Sequence, residues 1–341
     1  MQIGDKRRIG RSALEVTVLG FGGAPLGNLY APIDDDDARG ALLAAWDVGC
    51  RYFDTAPLYG YGLSERRFGE ALRRRQRDSY VLSTKVGRTL RPWREPPTDD
   101  EKFVNAGPFE PVYDYARDGV RRALEQSLHR LGTHRVDLLF IHDIDVFTHG
   151  REQQPAVFRE AMEGSYRGLE DLKRDGTIGA IGVGVNEWQV CQAALDAGDF
   201  DAFLLAGRYT LLEQESLESF LPACTARGAS IVLGGPYNSG ILVTGAKPNA
   251  THNYDVAPPE VMERVAHIER VCAAHGVPMA AAALQFPLAH PAVATVIPGG
   301  RTEAEVRQNA AWLGLPIPAG LWSDLQSEKL VRADAPLPAG A

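Results

Sequence analysis

Four polar or aromatic side chains stand at or just after the ends of short apolar segments. They are Asp54 in RYFDTA, Tyr59 in PLYGYG, Lys85 in VLSTKVG and His142 in LLFIHD. Burying a lone aspartate or lysine is costly, so Asp54 and Lys85 are expected to pair with each other. A purely structural salt bridge explains that pair as well as a catalytic role does, but the additional tyrosine and histidine favour chemistry.

The four side chains together suit proton transfer at an oxygen atom. A lysine ammonium beside a phenol is expected to lower the pKa of Tyr59, which could then donate or accept a proton. Neutral His142 could donate a hydrogen bond to a carbonyl or alkoxide oxygen. The pattern includes no serine or cysteine nucleophile and no histidine cluster with metal-ligand spacing. The sequence therefore predicts proton transfer coupled to hydride transfer with a cofactor, and no metal.

Eight apolar, strand-like segments alternate with eight segments of helical periodicity. The predicted strands cover 17–23, 51–56, 80–86, 136–142, 178–185, 202–207, 230–235 and 293–299. The predicted helices cover 35–48, 64–75, 113–131, 155–175, 187–197, 214–227, 259–289 and 303–313. Nearly continuous apolar strands are typical of a parallel sheet covered on both faces. This alternation predicts an α/β fold, a single (β/α)8 TIM barrel, rather than an open sheet.

The barrel prediction assigns residues 1–341 to one domain with four additions. Residues 1–16 are expected to form an N-terminal hairpin that plugs the barrel bottom. The long connections 88–112 and 237–258 follow strand ends, where barrels build active sites, so they are candidate lids or pocket walls. The tip of each connection could equally well be a surface loop with no part in the site. The tail, 331–341, is expected to be frayed.

Composition narrows the class of protein further. The chain has 36 basic and 44 acidic residues and a net charge of −8, which disfavours binding to nucleic acid or to an anionic membrane. The four scattered cysteines are read as buried thiols, and no signal peptide or apolar span is apparent, so we expect a cytoplasmic protein. The acidic run Asp34–Asp37 is interpreted as a helix N-cap rather than a metal site. Nothing in the sequence indicates an oligomeric state.

The run GCRYFDTA followed by YGYGLSERRFG, at 49–69, resembles the first signature of the aldo-keto reductases. The order Asp54, Tyr59, Lys85 and His142 resembles the catalytic tetrad of that family, and the resemblance extends through IPGGRTEAEVRQN near the C-terminus. It implies a nicotinamide dinucleotide bound without a Rossmann fold, and reversible carbonyl–alcohol conversion. Tyr59 would then be the general acid or base, Lys85 its tuner, Asp54 the partner of Lys85, and His142 the group that orients the reacting oxygen.

The resemblance also implies cofactor-binding positions. Asn186 matches the residue that binds the nicotinamide carboxamide, Tyr209 the aromatic that stacks on the nicotinamide, and Asn309 the residue that contacts adenine. The loop 234–242 is similar to the segment that covers the pyrophosphate. Its candidate contacts are Pro236, Ser239, Gly240 and Leu242.

Two departures from the family pattern concern the choice between NAD and NADP. Where members that prefer NADP carry a lysine and an arginine, this sequence has Gly299 and Glu305. A carboxylate would repel a 2′-phosphate and could accept a hydrogen bond from a free ribose hydroxyl. Arg301 could still contribute a phosphate contact, so NAD is expected to be preferred and NADP remains possible.

Within the family, the sequence most resembles a branch that includes L-fucose and D-threo-aldose 1-dehydrogenases and a pyridoxal 4-dehydrogenase. The resemblance implies oxidation of the anomeric hydroxyl of an aldopyranose of the L-fucose, L-galactose or D-arabinose type to a lactone, with Tyr59 as general base. Asn28, Asp143 and Trp93 are candidate substrate contacts, with Asp145 and Trp93 better read as ordinary loop residues. The alternatives are pyridoxal or general aldehyde chemistry and, from another class, a non-catalytic nucleotide sensor.

Overall fold

Short β-branched segments alternate with amphipathic helices, and in the computed structural model, which describes residues 2–94 and 102–340, they form a β/α barrel. The strands within these ranges are β1 (Lys6–Arg8), β2 (Glu15–Thr17), β3 (Phe21–Gly22), β4 (Tyr52–Asp54), β5 (Val81–Pro92), β6 (Phe109–Asp114), β7 (Leu138–His142), β8 (Ala180–Val185), β9 (Ala202–Ala206), β10 (Ser230–Gly234), β11 (Thr251–His252), β12 (Asp255–Val256) and β13 (Val293–Ile297).

Eight of these strands make one parallel sheet in the order β3, β4, β5, β7, β8, β9, β10 and β13. Isolated parallel bridges from Leu19 to Val296 and from Gly22 to Gly299 join the first strand to the last. The sheet is therefore a nearly closed barrel, and each of the eight predicted strand segments overlaps one of its strands. The predicted (β/α)8 architecture is confirmed.

Helices follow the barrel strands and cover the outer face of the sheet. The α-helices of the described ranges are α1 (Asp35–Asp47), α2 (Leu63–Leu72), α3 (Arg117–Leu131), α4 (Val146–Glu163), α5 (Ser165–Arg174), α6 (Trp188–Ala197), α7 (Phe220–Arg227), α8 (Ile241–Thr244), α9 (Pro259–Ala274), α10 (Met279–Gln285), α11 (Glu303–Gly314) and α12 (Ala319–Ser327). Asp34 caps α1 by accepting a hydrogen bond from the Asp36 amide, which confirms the N-cap interpretation of the acidic run.

Three helix predictions needed correction. The one over 113–131 begins later, at Arg117, because Phe109–Asp114 is a strand. The one over 155–175 is two helices, and the first begins near Asp145, whose side chain accepts a hydrogen bond from the Thr148 amide. The helical stretch 259–289 is interrupted before Pro278. Helix α12 was not predicted at all.

Small and apolar side chains on the inner face of the barrel form its central core. Alternate residues of the strands, among them Tyr52, Phe140 and Val232, are fully buried there together with Ile9 and Val16 of the N-terminal hairpin. Strands β1 and β2 pair in antiparallel fashion, which confirms the predicted hairpin apart from Met1, which lies outside the described residues. Arg7 fixes this plug by donating to the backbone oxygens of Val293 and Leu288.

Both predicted excursions contain regular structure. In 88–112, β5 continues to Pro92 and pairs in antiparallel fashion with β6, while residues 95–101 of this excursion lie outside the described residues. In 237–258, α8 is followed by the short hairpin of β11 and β12. Because barrel strands normally end where their loops begin, the extension of β5 beyond the barrel could not be predicted from the apolar pattern of its first residues.

The expectation of a frayed tail is wrong for the residues directly after Leu330. Val331 is 1% exposed, and the Arg332 amide donates to the Gln214 side chain. All four cysteines are buried free thiols, as predicted. Among the helices of residues 2–94 and 102–340, none is by itself long and apolar enough to cross a membrane; one pair, Pro259–Ala274 with Met279–Ala289, passes on length and composition but is bent by 100°.

Candidate active site

Strand register brings the four chemistry-bearing residues to one end of the barrel. Asp54 lies opposite Ser83, so Lys85 is two residues further along the same inner face of the neighbouring strand. Lys85 in turn lies opposite Phe140, and His142 follows two residues later. Asp54, Lys85 and His142 therefore lie at the same end of the barrel, and Tyr59, in the loop after β4, lies beside Lys85 and His142, so the predicted juxtaposition of the four is present.

Asp54 and Lys85 form a buried ion pair. The Lys85 Nζ donates to Asp54 Oδ2 at 2.7 Å and to the Thr55 carbonyl oxygen at 2.9 Å. The second carboxylate oxygen of Asp54 accepts a hydrogen bond from Ser83 Oγ at 2.7 Å. Burial raises the pKa of the Asp54 carboxyl, and the neighbouring Lys85 and Ser83 oppose that rise. Lys85 is thus held by its partners on two sides.

Tyr59 is placed by a tight turn rich in glycine. Gly60 and Gly62 adopt φ of 63° and 88°, which glycine tolerates better than other residues. The loop packs so closely that a Cβ on Gly27 would lie 2.5 Å from the Tyr59 carbonyl carbon. The centroid of the Tyr59 ring lies 4.7 Å from Lys85 Nζ. It lies 5.9 Å from the centroid of the His142 ring, and the two rings meet edge-on.

The predicted direction of the Tyr59 pKa is wrong in this structure. Burial raises the pKa of Tyr59 well above its usual value, and the carboxylates of Asp54 and Asp143 add to the rise, whereas Arg88 opposes it. Lys85 is close enough to favour the phenolate, but its ammonium is already paired with Asp54. The two nearby carboxylates and the loss of water outweigh the cation, so Tyr59 is a protonated phenol at neutral pH.

His142 is poised to act as a neutral hydrogen-bond donor. It is 6% exposed, and burial lowers its pKa well below the usual 6.5, with Arg88, Lys85 and Lys102 lowering it further. Its Nε2 lies 3.5 Å from Asp143 Oδ1. A neutral imidazole beside a phenol can orient an oxygen atom that lies between them.

A cavity of about 400 Å³ begins at Asp54 and Tyr59 and runs along the carboxyl ends of the strands. Most of the predicted cofactor-binding residues line it: Asn186, Pro236, Ser239, Gly240, Gly299, Arg301 and Glu305. Glu305 accepts a hydrogen bond from the Arg301 amide at 2.7 Å, and the Arg301 side chain donates to the backbone oxygen of Ala31. The Arg301 amide therefore holds the Glu305 carboxylate in the lining of the cavity.

Three predicted cofactor contacts lie elsewhere. Tyr209 is fully buried against Phe286 and His290, so its ring has no face free to stack on a nicotinamide, and that prediction is wrong. Leu242 is also fully buried in the core and does not line the cavity. Asn309 is held behind the wall, where its amide oxygen accepts a hydrogen bond from the Tyr237 hydroxyl at 2.7 Å. Asn309 thereby positions Tyr237, which does line the cavity.

Two of the predicted substrate contacts, Asn28 and Trp93, also lie away from the cavities around the tetrad. Asn28 is buried and its side-chain oxygen accepts hydrogen bonds from Arg67 and from the Ile33 amide, so it shapes a loop instead of the cavity. Trp93 packs edge-on against Tyr61, with 5.3 Å between ring centroids, and it lines none of the cavities found in the described part of the chain.

Asp143 and Asp145, close in sequence, have different surroundings. Asp145 is buried and accepts hydrogen bonds from the amides of Thr148 and Asn186, as befits an ordinary structural residue. Asp143 lines the small cavity beside Tyr59 and His142 and pairs with Arg88, whose Nη2 lies 2.8 Å from its Oδ2. Of the substrate candidates, Asp143 is the one that the structure brings to the site.

The sequence reasoning missed several cavity residues that come from the two excursions. Tyr254 lies in the 237–258 excursion, and its hydroxyl donates to Asn186 Oδ1 at 3.3 Å. Lys102 and Arg88 come from the other excursion and line the space around Asp143. None of them sits at a strand end, and no local pattern marks them; their proximity depends on how the excursions fold back over the barrel.

The sequence and the fold match known proteins. The family model described as "Aldo/keto reductase family" matches residues 18–327. The chain is 42% identical over 340 residues to pyridoxal 4-dehydrogenase from Microbacterium luteolum, covering 97% of this chain and 99% of that protein. It is 38% identical over 325 residues to D-threo-aldose 1-dehydrogenase from a Pseudomonas species, covering 94% and 96%.

A solved structure has the same architecture. The holo form of an aldo-keto reductase from Bacillus halodurans superposes with a TM-score of 0.73 at 26% identity, covering 97% of each chain. The two curated relatives agree with the branch that the sequence resembles.

Proposed function

The chain belongs to the aldo/keto reductase family of NAD(P)-dependent oxidoreductases, and from this premise we propose that it oxidises the anomeric hydroxyl of an aldopyranose to a lactone. The observation that carries the proposal is the hydroxyl-binding chemistry around the tetrad. Tyr59 and His142 flank one small cavity, and Asp143 supplies a carboxylate in the same space. Similarity to a D-threo-aldose 1-dehydrogenase supports the aldose class.

The residues of the chain would divide the reaction as follows. A bound nicotinamide supplies the hydride acceptor for the reacting carbon. Tyr59 is protonated at neutral pH, so the fraction present as phenolate takes the proton from the anomeric hydroxyl, while the edge-on His142 donates a hydrogen bond that holds the reacting oxygen. The Asp54–Lys85 pair keeps a fixed cation 4.7 Å from the centroid of the Tyr59 ring, and this cation stabilises the phenolate that accepts the proton.

The residues along the larger cavity fit a nicotinamide dinucleotide. The side-chain oxygen of Asn238, which lines the cavity, is buried and has no hydrogen-bond partner among the residues described, so a donor is missing there. Asn186 offers an amide near Tyr59, and Ser239 and Arg301 offer donors further along. Glu305 in the lining of the same cavity supports a preference for NAD, because a carboxylate repels a 2′-phosphate but can accept a hydrogen bond from a hydroxyl.

Pyridoxal oxidation is the second candidate, since the relative with 42% identity is a pyridoxal 4-dehydrogenase. Aldoses and pyridoxal have a structural feature in common: each carries an aldehyde and a hydroxyl that can close into a cyclic hemiacetal. The same tetrad could oxidise either one, and pocket shape decides between them. General aldehyde reduction uses the tetrad in the opposite direction. A non-catalytic nucleotide sensor is disfavoured because the tetrad is intact.

Cofactor reduction with a panel of substrates tests the proposal. L-fucose, L-galactose, D-arabinose, L-xylose and pyridoxal are offered with NAD and then with NADP, and the absorbance of the reduced nicotinamide is followed. We expect reduction with at least one aldose and a higher kcat/KM with NAD. If pyridoxal is the one compound of the panel that reduces the cofactor, the second candidate is favoured. If simple aldehydes consume NADH and no sugar is oxidised, the aldose assignment is refuted.

A further inference from the structure

Another cavity, of about 310 Å³ and distinct from the 400 Å³ cavity described above, adjoins the small cavity beside the tetrad. The two cavities share four lining residues, which are Leu58, Lys102, Asp143 and Asn186. The second one adds Arg88, which comes from β5 three residues after Lys85. A substrate whose reacting oxygen lies between Tyr59 and His142 would therefore extend its next atoms towards Asp143 and Arg88.

Arg88 carries an unused donor in this place. The residue is 5% exposed, and its Nη2 lies 2.8 Å from Asp143 Oδ2 and 3.2 Å from the Tyr113 hydroxyl. Its Nη1 is buried and, in the part of the chain that the structure describes, has no hydrogen-bond partner. Buried polar atoms are nearly always paired in folded proteins, so an unpaired guanidinium N–H beside a cavity points to an acceptor on a ligand.

The backbone holds Asp143 in an unusual conformation. Its φ is 50°, in the left-handed region that residues other than glycine seldom adopt. The Asp143 carbonyl oxygen accepts a hydrogen bond from the Tyr115 hydroxyl at 2.7 Å, and its amide donates to the Gly184 oxygen at 3.0 Å. Strained backbone persists where its surroundings fix it, and it is often found at functional sites. Here the strain keeps the carboxylate between His142 and Arg88.

We propose that Arg88 and Asp143 together bind the hydroxyl on the carbon next to the reacting carbon. The inference rests on the proposed function only in that the substrate carries such a hydroxyl. Asp143 Oδ1 lies 3.5 Å from His142 Nε2, the atom that faces the reacting oxygen in this proposal. Oxygens on neighbouring carbons are about one hydrogen-bond length apart, so the second hydroxyl reaches Asp143 when the first one reaches His142. It then donates to the carboxylate and accepts from Arg88 Nη1.

The pair therefore determines specificity and takes no part in proton transfer. A substrate without the neighbouring hydroxyl leaves the carboxylate and the guanidinium without their ligand partner after water has been displaced. Sites built to hydrogen-bond a substrate hydroxyl reject the analogue that lacks it, and a bond to a charged group accounts for a preference of about 10- to 100-fold.

The reduction of 2-hydroxypropanal and of propanal isolates this effect, because the two aldehydes differ only in the hydroxyl in question. The ratio of their kcat/KM values with saturating NADH is measured for the wild-type enzyme and for Arg88→Gln and Asp143→Asn. Arg77→Gln is the matched control, since Arg77 and Asp137 form a similarly buried pair, 2.5 Å apart and outside the cavities beside the tetrad. Thermal melting and NADH binding by fluorescence verify that each variant is folded.

We expect a wild-type ratio of about 10 to 100 in favour of the hydroxylated aldehyde, a ratio close to one in both site variants, and the wild-type ratio in Arg77→Gln. A wild-type ratio near one overturns the proposal. Site variants that are slower with both aldehydes by the same factor overturn it too, because the pair is then merely structural. Since this assay needs no sugar oxidation, failure of every aldose in the oxidation panel refutes the proposed function and leaves this inference standing on its own result.

Discussion

Replacing Lys85 with methionine separates the structural role of the Asp54–Lys85 pair from its role in catalysis. The two side chains are 1% and 2% exposed and lie 2.7 Å apart, so the substitution leaves a carboxylate buried without its cation. Removing one partner of a buried pair costs about 3–5 kcal/mol of folding free energy. Asp54 retains its hydrogen bond from Ser83, so we expect the lower end of this range, about 3 kcal/mol.

The loss should depend on pH in a defined direction. Burial already raises the pKa of Asp54 above its ordinary 3.8, and removal of Lys85 takes away the largest influence that lowers it. A carboxyl with a raised folded pKa binds more protons in the folded state than in the unfolded state. Stability is then lost as pH rises through the folded pKa, so the deficit of Lys85→Met should be larger at about pH 8 than at about pH 5.5.

Urea denaturation at the two pH values measures this deficit, and the double variant Asp54→Asn/Lys85→Met completes the test. Removing the buried charge as well should restore more than half of the lost stability without restoring activity. Lys173→Met is the matched control, because it breaks the Lys173–Asp201 pair, which lies outside the cavities around the tetrad, and should retain turnover. An unchanged stability of Lys85→Met, or a deficit that grows towards acid pH, would refute the reasoning.

The other predictions concern the proton donor, its titration and the cofactor. Tyr59→Phe should lower kcat by about 10²–10⁴ while fluorescence titration shows unchanged NADH affinity; substantial residual turnover would remove Tyr59 as the base. Because burial raises the pKa of Tyr59 and lowers that of His142, kcat/KM for oxidation should rise steadily from about pH 7 to about pH 10, without a histidine titration. Asp143→Asn should move this profile to lower pH, since the Asp143 carboxylate raises the Tyr59 pKa; a shift to higher pH would contradict that cause. Glu305→Arg should raise the kcat/KM ratio of NADP to NAD at least about tenfold, and an unchanged ratio would place the ribose elsewhere.

The barrel and the tetrad could be predicted because both follow from short-range patterns. Apolar strands with one polar residue at the carboxyl end, such as Lys85 or His142, mark both the sheet and the site. The prediction for Tyr209 rested only on its position just after a barrel strand. Between that strand and Tyr209, Gly207 has a φ of 70° and redirects the chain, which the sequence position alone does not reveal. Arg88 was missed because its neighbour Asp143 is distant in sequence and is reached only through packing.

Two buried ion pairs flank Tyr59, and they depend on the fold in different ways. Asp54 and Lys85 are fixed by the register of adjacent barrel strands, which cannot shift without moving every inward side chain to the wrong face. Arg88 lies where β5 leaves the barrel, and Asp143 lies beyond the end of β7 in a left-handed conformation held by side-chain contacts. Substitutions in the excursions can therefore displace the second pair while the first remains in place. Such changes should alter which hydroxylated substrate is accepted, and they should affect proton transfer by Tyr59 only through its pKa, which Asp143 raises and Arg88 lowers.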